Sequence, residues 1–263
     1  MVGDAGVAMS TVVEARATIR VAAKADYFFV WMATVCLGVA FLGFAPTYWL
    51  PMVQGGLRVN PVVHVHGAIF FGWALYFVYQ AWLAASGRLA RHRRVGMIGV
   101  SFATAMTIFG TLVTINSMKS AIALGMADEG KAFAFVPLSS ILMFAVLVAF
   151  AIGNVRRTEW HKRLMLVAAI SILDAPIARW FQLALAPPDA VGPPPVAADL
   201  GPALVSVLLM LVAIVHDRRR LGRVHPAYWW AGGSFVALKL AQIPLSATAA
   251  WRAVASGVLA LAG

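Results

Sequence analysis

Charged residues are scarce in this chain. Asp, Glu, Lys and Arg make up 12% of its 263 residues, whereas apolar residues make up 62%. An ordinary soluble domain is about half apolar and about a quarter charged. The composition therefore excludes a typical soluble domain. A membrane-spanning helix needs roughly 20 apolar residues, so a chain of this length has room for about seven or eight spans joined by short loops.

Cysteine is nearly absent. The single residue, Cys36, lies in an apolar run. One cysteine excludes an intramolecular disulfide framework and a cysteine-based metal site within one chain. The sequence also has no glycine-rich phosphate loop, no HExxH pair and no nucleophile motif. Soluble enzyme classes are therefore disfavoured, and whether the chain is an enzyme of another kind stays open.

Acidic residues are half as frequent as basic ones, with 10 Asp and Glu against 21 Lys and Arg, and the net charge is +11. Such a charge is typical of nucleic-acid-binding proteins, but here most basic residues fall in the N-terminal segment and in alternate loops. That distribution is the positive-inside pattern of membrane proteins. It predicts a cytoplasmic N-terminus, an outer C-terminus, the lipid bilayer as partner and no nucleic acid.

Apolar runs predict an all-α, polytopic bundle of about seven spans, with a transmembrane domain over 27–244. Asn60 followed by Pro61 is a typical helix start, because an N-cap side chain precedes a proline, which has no N–H and therefore needs no acceptor. The predicted spans are 27–50, 61–85, 95–118, 135–153, 164–185, 203–216 and 226–243.

Both ends of the chain are predicted to lie at the membrane surface. In 1–26, Arg16, Arg20 and Lys24 recur every fourth residue, which favours a cytoplasmic amphipathic helix; a frayed tail is the alternative. Residues 245–263 are apolar but contain Arg252. We interpret them as an interfacial or packed helix on the outer side, with a short eighth span as the alternative.

Three predicted hairpins share one plan, in which a span descends to an arginine-rich turn with a histidine and a second span rises. The turns read GRLARHRRVGMIG, VRRTEWHKRLMLV and RRRLGRVHPAYWW, and they hold His92, His161 and His225. Repeated hairpins favour an internal duplication. The alternative is convergence, since cytoplasmic turns favour arginine.

Polar residues at membrane depth are costly and therefore informative. His66 shares one face of the second span with Gln80, whereas His64 points to another face. Asp174 and Arg179 lie in the outer half of the fifth span and Lys239 lies in the seventh. These residues form a predicted outward-facing pocket of His66, Gln80, Asp174, Arg179 and Lys239. The alternative is a structural ion pair of Asp174 with Lys239 or Arg179, beside a hydrogen-bonded His66.

Four histidines fall at the cytoplasmic ends of spans: His92, His161, His216 and His225. Imidazoles from facing helices hold haem b in membrane cytochromes and bind transition metals. We predict His92 and His161 as candidate ligands of haem b or a transition metal, with His64, His216 and His225 as secondary candidates. Contacts with headgroups or backbone carbonyls are the alternative.

The order of a histidine early in a span, a glutamine at its far end, then HRRxG and HKRLM resembles a family of bacterial polytopic membrane proteins of uncharacterised function. It is more loosely similar to membrane proteins of cytochrome oxidase maturation and to b-type membrane cytochromes. The resemblance covers about residues 60–185 and implies a multi-pass protein of the bacterial inner membrane. The matching residues are His66, Gln80, His92, Gly96, His161, Arg163 and Met165. Unlike a di-haem cytochrome, this chain has no outer histidine on a second helix, so the resemblance implies at most one haem held by two histidines.

Three functions follow as hypotheses. The first is a redox-linked membrane protein that binds haem, a metal or quinone, or that assists assembly of a respiratory complex. The second is a small-molecule transporter or sensor that uses the outer pocket. The third is an accessory subunit of a larger membrane complex.

Overall fold

The structure is a computed structural model that describes residues 26–261, and these residues form helices without any strand. The predicted all-α polytopic bundle is confirmed, with six helical segments long and apolar enough to cross a membrane and a seventh that is sharply bent. The predicted amphipathic helix over 1–26 falls almost wholly outside the described residues.

The third to sixth spans run longer than predicted, and the third, fifth and sixth continue into the basic turns. The six spans are Phe28–Val53, Pro61–Ala85, Leu89–Ala123, Ala127–Gly153, Thr158–Leu185 and Val196–Leu221, and Tyr228–Ser246 with Ala249–Ala260 forms the bent seventh. The second span begins as predicted: the Asn60 side chain accepts a hydrogen bond from the Val62 N–H at 3.0 Å, and Pro61 opens the helix.

Proline interrupts the first and fifth spans. The fifth span consists of the helices Thr158–Ser171 and Asp174–Leu185. Pro176 has no N–H to bond the carbonyl of Ile172, four residues earlier, and the helix breaks there. The first span changes after Phe28–Gly43 into the π-helix Ala45–Trp49 and then Leu50–Val53. Pro46 likewise leaves the Leu42 carbonyl without its usual donor, and the indole N–H of Trp180 supplies one at 3.0 Å.

These two breaks lie against each other. A Cβ added at Gly43 would lie 2.5 Å from the carbonyl oxygen of Pro176, so a glycine is needed where the two spans touch. The contact fixes the depth of Asp174, which opens the second half of the fifth span.

Shorter breaks shape the other spans. The fourth span consists of the helices Ala127–Phe133 and Phe135–Gly153, and the sixth consists of the 3-10 turn Val196–Asp199 followed by Leu200–Leu221. The seventh begins with the π-helix Tyr228–Gly232, continues as Gly233–Ser246, and bends by 91° into the helix Ala249–Ala260.

The terminal helix packs against the bundle. The Trp251 indole N–H donates to the Lys131 carbonyl at 2.8 Å, and Ala255 is fully buried against the parts of the third and fourth spans that lie away from their basic turns. This geometry matches a packed helix. Its placement at the membrane interface stays a prediction.

The fifth span forms the centre of the bundle. In its most apolar window 61% of the residues are buried, against 11% in the second span. It contacts the first, fourth, sixth and seventh spans. Polar residues that face inward from the fifth span therefore meet side chains from distant parts of the sequence.

Candidate functional site

The arginine-rich turns gather at one end of the bundle, which we call the basic end, and there His92 and His161 face each other. Their ring centroids are 6.3 Å apart and their planes are nearly perpendicular, at 85°. Each histidine begins the second helix of its hairpin. We call these two residues the histidine pair.

Hydrogen bonding determines the tautomer of both rings. His92 Nδ1 lies 3.2 Å from the carbonyl oxygen of Gln80, and His161 Nδ1 lies 2.8 Å from that of Ala151. A carbonyl can only accept, so Nδ1 carries the proton in each ring. Nε2 of each neutral ring is then left with a free lone pair, which is the state in which imidazole binds a metal.

The secondary candidates have other contacts. His64 Nδ1 is 2.7 Å from the Tyr48 hydroxyl at the opposite end of the bundle. The His216 ring stacks on Phe28 at 3.7 Å between centroids, with Asp26 nearby. Among residues 26–261 no group of three or more His, Cys, Asp or Glu could hold a metal ion.

His225 caps the seventh span. Its Nδ1 accepts the N–H of Ala227 at 3.2 Å, and its ring packs edge-on against Trp160. Burial, together with the positive charge of Arg163, lowers the pKa of His225 below its ordinary value of 6.5. The third turn of the proposed repeat thus uses its histidine as a helix cap and places it away from the histidine pair.

Next to the basic end, Arg163 is fully buried and ties the fifth span to the sixth. Its Nε and one terminal nitrogen donate to the two oxygens of Asp217 at 2.6 and 2.7 Å, and the other terminal nitrogen reaches Glu159 at 2.6 Å. A bidentate pair of this kind fixes orientation as well as charge. Arg163 appears in the HKRLM motif, but the sequence did not show its partner.

Deeper in the opposite half, Lys239 joins four spans. Its ammonium group lies 2.7 Å from Asp174, 2.8 Å from Asp199 and 3.1 Å from the Ser140 hydroxyl. Asp174 also accepts a hydrogen bond from Ser206 at 2.5 Å, and Asp199 accepts one from Gln242 at 3.2 Å. We call Asp174, Asp199 and Lys239 the lysine triad. The structural ion pair of Asp174 with Lys239, one of the sequence-based alternatives, is present.

Beside the triad lies a cavity of about 490 Å³ in the half of the bundle away from the basic end, which we call the Arg179 cavity. Its walls are largely aromatic. Its aromatic and polar lining includes Phe44, Phe70, Phe71, Trp73, Phe77, His66, Asn116, Asp174, Arg179, Gln182 and Asp199.

The predicted outer pocket is thus partly assembled. His66, Asp174 and Arg179 line one cavity, and Lys239 sits behind Asp174. Gln80 does not line it: it lies two turns beyond Trp73 toward the basic end, and its carbonyl bonds His92. The helical face that His66 shares with Gln80 is long enough to reach both halves of the membrane, so Gln80 belongs with the histidine pair. Its side-chain amide is buried without a hydrogen-bond partner in the described chain.

Two polar residues escaped sequence reasoning because they lie near predicted loops. Asp199 precedes the predicted start of the sixth span and Asp217 follows its predicted end, where acidic residues are usually solvated. Both are buried, at 5% and 0% exposure. Arg163 and Lys239 are cations near or within spans, and a buried cation needs a carboxylate partner. That requirement could have pointed to Asp199 and Asp217.

A comparison with known proteins finds no matching family model, no matching curated protein and no matching solved structure. Functional arguments therefore depend on the geometry of the two sites.

Proposed function

We propose that this integral membrane protein is redox-linked, resides in the bacterial inner membrane, and holds one transition metal ion or one haem b iron between His92 and His161. The observation that carries the proposal is the pair of imidazoles whose Nδ1 atoms are both committed to backbone carbonyls. Metal-bound histidines usually have their second nitrogen bonded in this way, which orients the ring and raises its basicity.

The spacing of the rings supports the same proposal. One metal ion with metal–nitrogen bonds of about 2.0 Å would fit between two imidazoles whose centroids are roughly 6 Å apart. The observed separation is 6.3 Å. Imidazole suits copper, iron, zinc and nickel, and two axial imidazoles are a common ligand set of haem b.

Surrounding residues support the pair. Each histidine is held by the preceding helix of its own hairpin, so the two rings meet only when both hairpins pack correctly. Gln80, whose backbone carbonyl orients His92, also has a buried side-chain amide next to the pair. A bound iron or copper ion would supply one-electron chemistry.

The test is an absorption spectrum with metal analysis of the protein purified in non-ionic detergent. We expect one metal ion or one haem per chain, with a Soret band in the haem case. His92→Ala and His161→Ala are each expected to lose it, whereas the control His64→Ala retains it because His64 lies at the other end. Wild-type protein with neither a Soret band nor stoichiometric metal contradicts the proposal.

The Arg179 cavity favours a second function, a transporter or sensor that admits a small molecule from the outer side. Its size lies within the range of about 300–1,000 Å³ typical of small-molecule sites. We expect His66→Ala and Asp174→Asn each to abolish uptake or ligand response in cells. Unchanged behaviour at normal expression contradicts this function.

A further inference from the structure

Arg179 lines the cavity as a cation that has no carboxylate partner within the described chain. Among residues 26–261, no carboxylate lies within ion-pair distance of its guanidinium. One terminal nitrogen donates to the Gln182 amide oxygen at 3.2 Å, and the Phe44 ring lies 5.6 Å from the guanidinium carbon. Its Nε is buried with no partner. Because a desolvated cation without a counter-ion is costly, the site favours an anion.

His66 is a second polar residue that lines the same cavity. Its ring lies against that of Phe70 at 4.1 Å between centroids, and its Nδ1 is buried without a hydrogen-bond partner in the described chain. Two polar groups with unused hydrogen-bonding capacity therefore face one space.

The acidic residues of the cavity are already committed. Asp174 is bonded by Lys239 and Ser206, and Asp199 by Lys239 and Gln242. An organic cation would have to displace Lys239 to use them. The group with an unmet charge is therefore positive, and the ligand that it fits is negative.

Most of the remaining wall is apolar, although Asn116 and several serine and threonine side chains also line it. Phe44, Phe70, Phe71 and Phe77 surround the space, and Trp73 closes it toward the bundle centre. Such walls stabilise a hydrocarbon or aromatic body by removing it from water. One cation within a largely apolar lining matches a ligand with one charged head and an apolar body.

We propose that the Arg179 cavity binds an amphiphilic carboxylate, with the carboxylate on Arg179 and the apolar body among the aromatic side chains. This inference rests on the second function proposed above and names its ligand class. It is independent of the histidine pair. Arg179 provides the charge and a planar fork of donors, which matches a carboxylate in geometry.

The test is a binding titration of purified full-length protein in dodecyl maltoside, with dodecanoate as the probe. Three matched compounds accompany it: methyl dodecanoate, which lacks the charge; dodecyltrimethylammonium, which reverses it; and phosphatidylglycerol, which carries an anionic lipid headgroup. We expect saturable binding of dodecanoate, with the ester and the cation binding at least tenfold more weakly.

Variants locate the site. Arg179→Gln is expected to weaken dodecanoate binding at least tenfold, Arg179→Lys to weaken it less, and the exposed control Arg252→Gln to leave it unchanged. If Arg179→Gln does not stay monodisperse, Arg179→Lys and the wild-type ester comparison decide. Equal binding of the ester, no loss in either Arg179 variant, or preference for phosphatidylglycerol overturns the proposal.

The binding titration and the uptake measurement test the ligand class and the transport function independently. Dodecanoate binding that depends on Arg179 supports the ligand class even where the cells show no uptake. Uptake that depends on His66 together with no dodecanoate binding overturns the ligand class and leaves the transport function standing.

Discussion

The two halves of the bundle treat their buried polar groups differently. At the basic end, Arg163 is matched by two carboxylates and the histidine pair is oriented by carbonyls of its own hairpins. In the opposite half, the lysine triad is closely paired, yet Arg179 beside it has no carboxylate. The first arrangement suits a small, rigidly held ion. The second suits a larger ligand that brings its own charge.

The difference follows from how each site is built. Each ring of the histidine pair is oriented within its own hairpin, whose two helices are adjacent in sequence. The Arg179 cavity needs the first five spans and the start of the sixth. Substitutions that disturb distant packing should therefore affect the cavity first.

Removing the cation of the lysine triad should have the largest effect. Lys239→Met leaves Asp174 and Asp199 buried without their shared partner, and breaking a buried pair in this way costs about 3–5 kcal/mol. We expect a strongly lowered midpoint of thermal unfolding in detergent. The control is Arg252→Gln, whose side chain is exposed. A midpoint within a degree or two of wild type would mean that the triad contributes little.

Breaking the buried ion pair of Arg163 with Asp217, next to the basic end, should lower the free energy of unfolding by a smaller amount. Arg163→Gln leaves one buried carboxylate, Asp217, without its cation, whereas Glu159 is half exposed and can be hydrated. Because one buried carboxylate is affected instead of two, we expect a cost of about 3 kcal/mol, the lower end of the range for a broken buried pair. Thermal unfolding beside the exposed Arg157→Gln, from the same turn, measures the difference. A larger loss than that of Lys239→Met reverses the expected order of the two halves.

Two glycines of the first span allow the effect of alanine on the helix itself to be distinguished from its effect on packing against the fifth span. Gly43→Ala places a Cβ against the Pro176 backbone and forces the two broken spans apart, at a cost of about 1–3 kcal/mol for overpacking. Gly38→Ala, in the same helix, meets open space and should be neutral or slightly stabilising. Unfolding midpoints and dodecanoate binding of both variants give the comparison. Equal results for the two alanines contradict the assigned contact.

The smallest effect concerns pH. The pKa of His225 is lowered in the folded protein, so the unfolded chain binds this proton more readily, and stability is lost as pH falls below about 6.5. His225→Asn keeps an acceptor for the helix cap and removes the titration. We expect the unfolding midpoint of this variant to fall less than that of wild type between pH 7 and pH 5.5. Parallel curves would contradict the assignment.

The sequence was a good guide to the helices and to the residues of the basic end. Apolar length predicted the spans, and the repeated HRR and HKR turns predicted that His92 and His161 occupy equivalent places. Asn60 and Pro61 marked a helix start that the structure has. These features are local, so periodicity and capping rules reach them.

Pairings across the bundle were much harder to predict. Asp174 could pair with Lys239 or Arg179 by depth alone, and only the packing of the sixth span adds Asp199 and commits both carboxylates to lysine. Gln80 was predicted in the outer pocket but lies next to His92, because a shared helical face says nothing about which of its turns borders a cavity. The breaks at Pro46 and Pro176 place these groups, and their mutual contact depends on Gly43.

The most direct test of the histidine pair is X-ray absorption fine structure at the edge of the metal bound to the purified protein. The proposed site predicts two imidazole nitrogens per metal at about 2.0 Å, and no bound metal in His161→Ala. A bound metal whose spectrum contains no imidazole scattering, or a His161→Ala protein that keeps the metal with an unchanged spectrum, would contradict it.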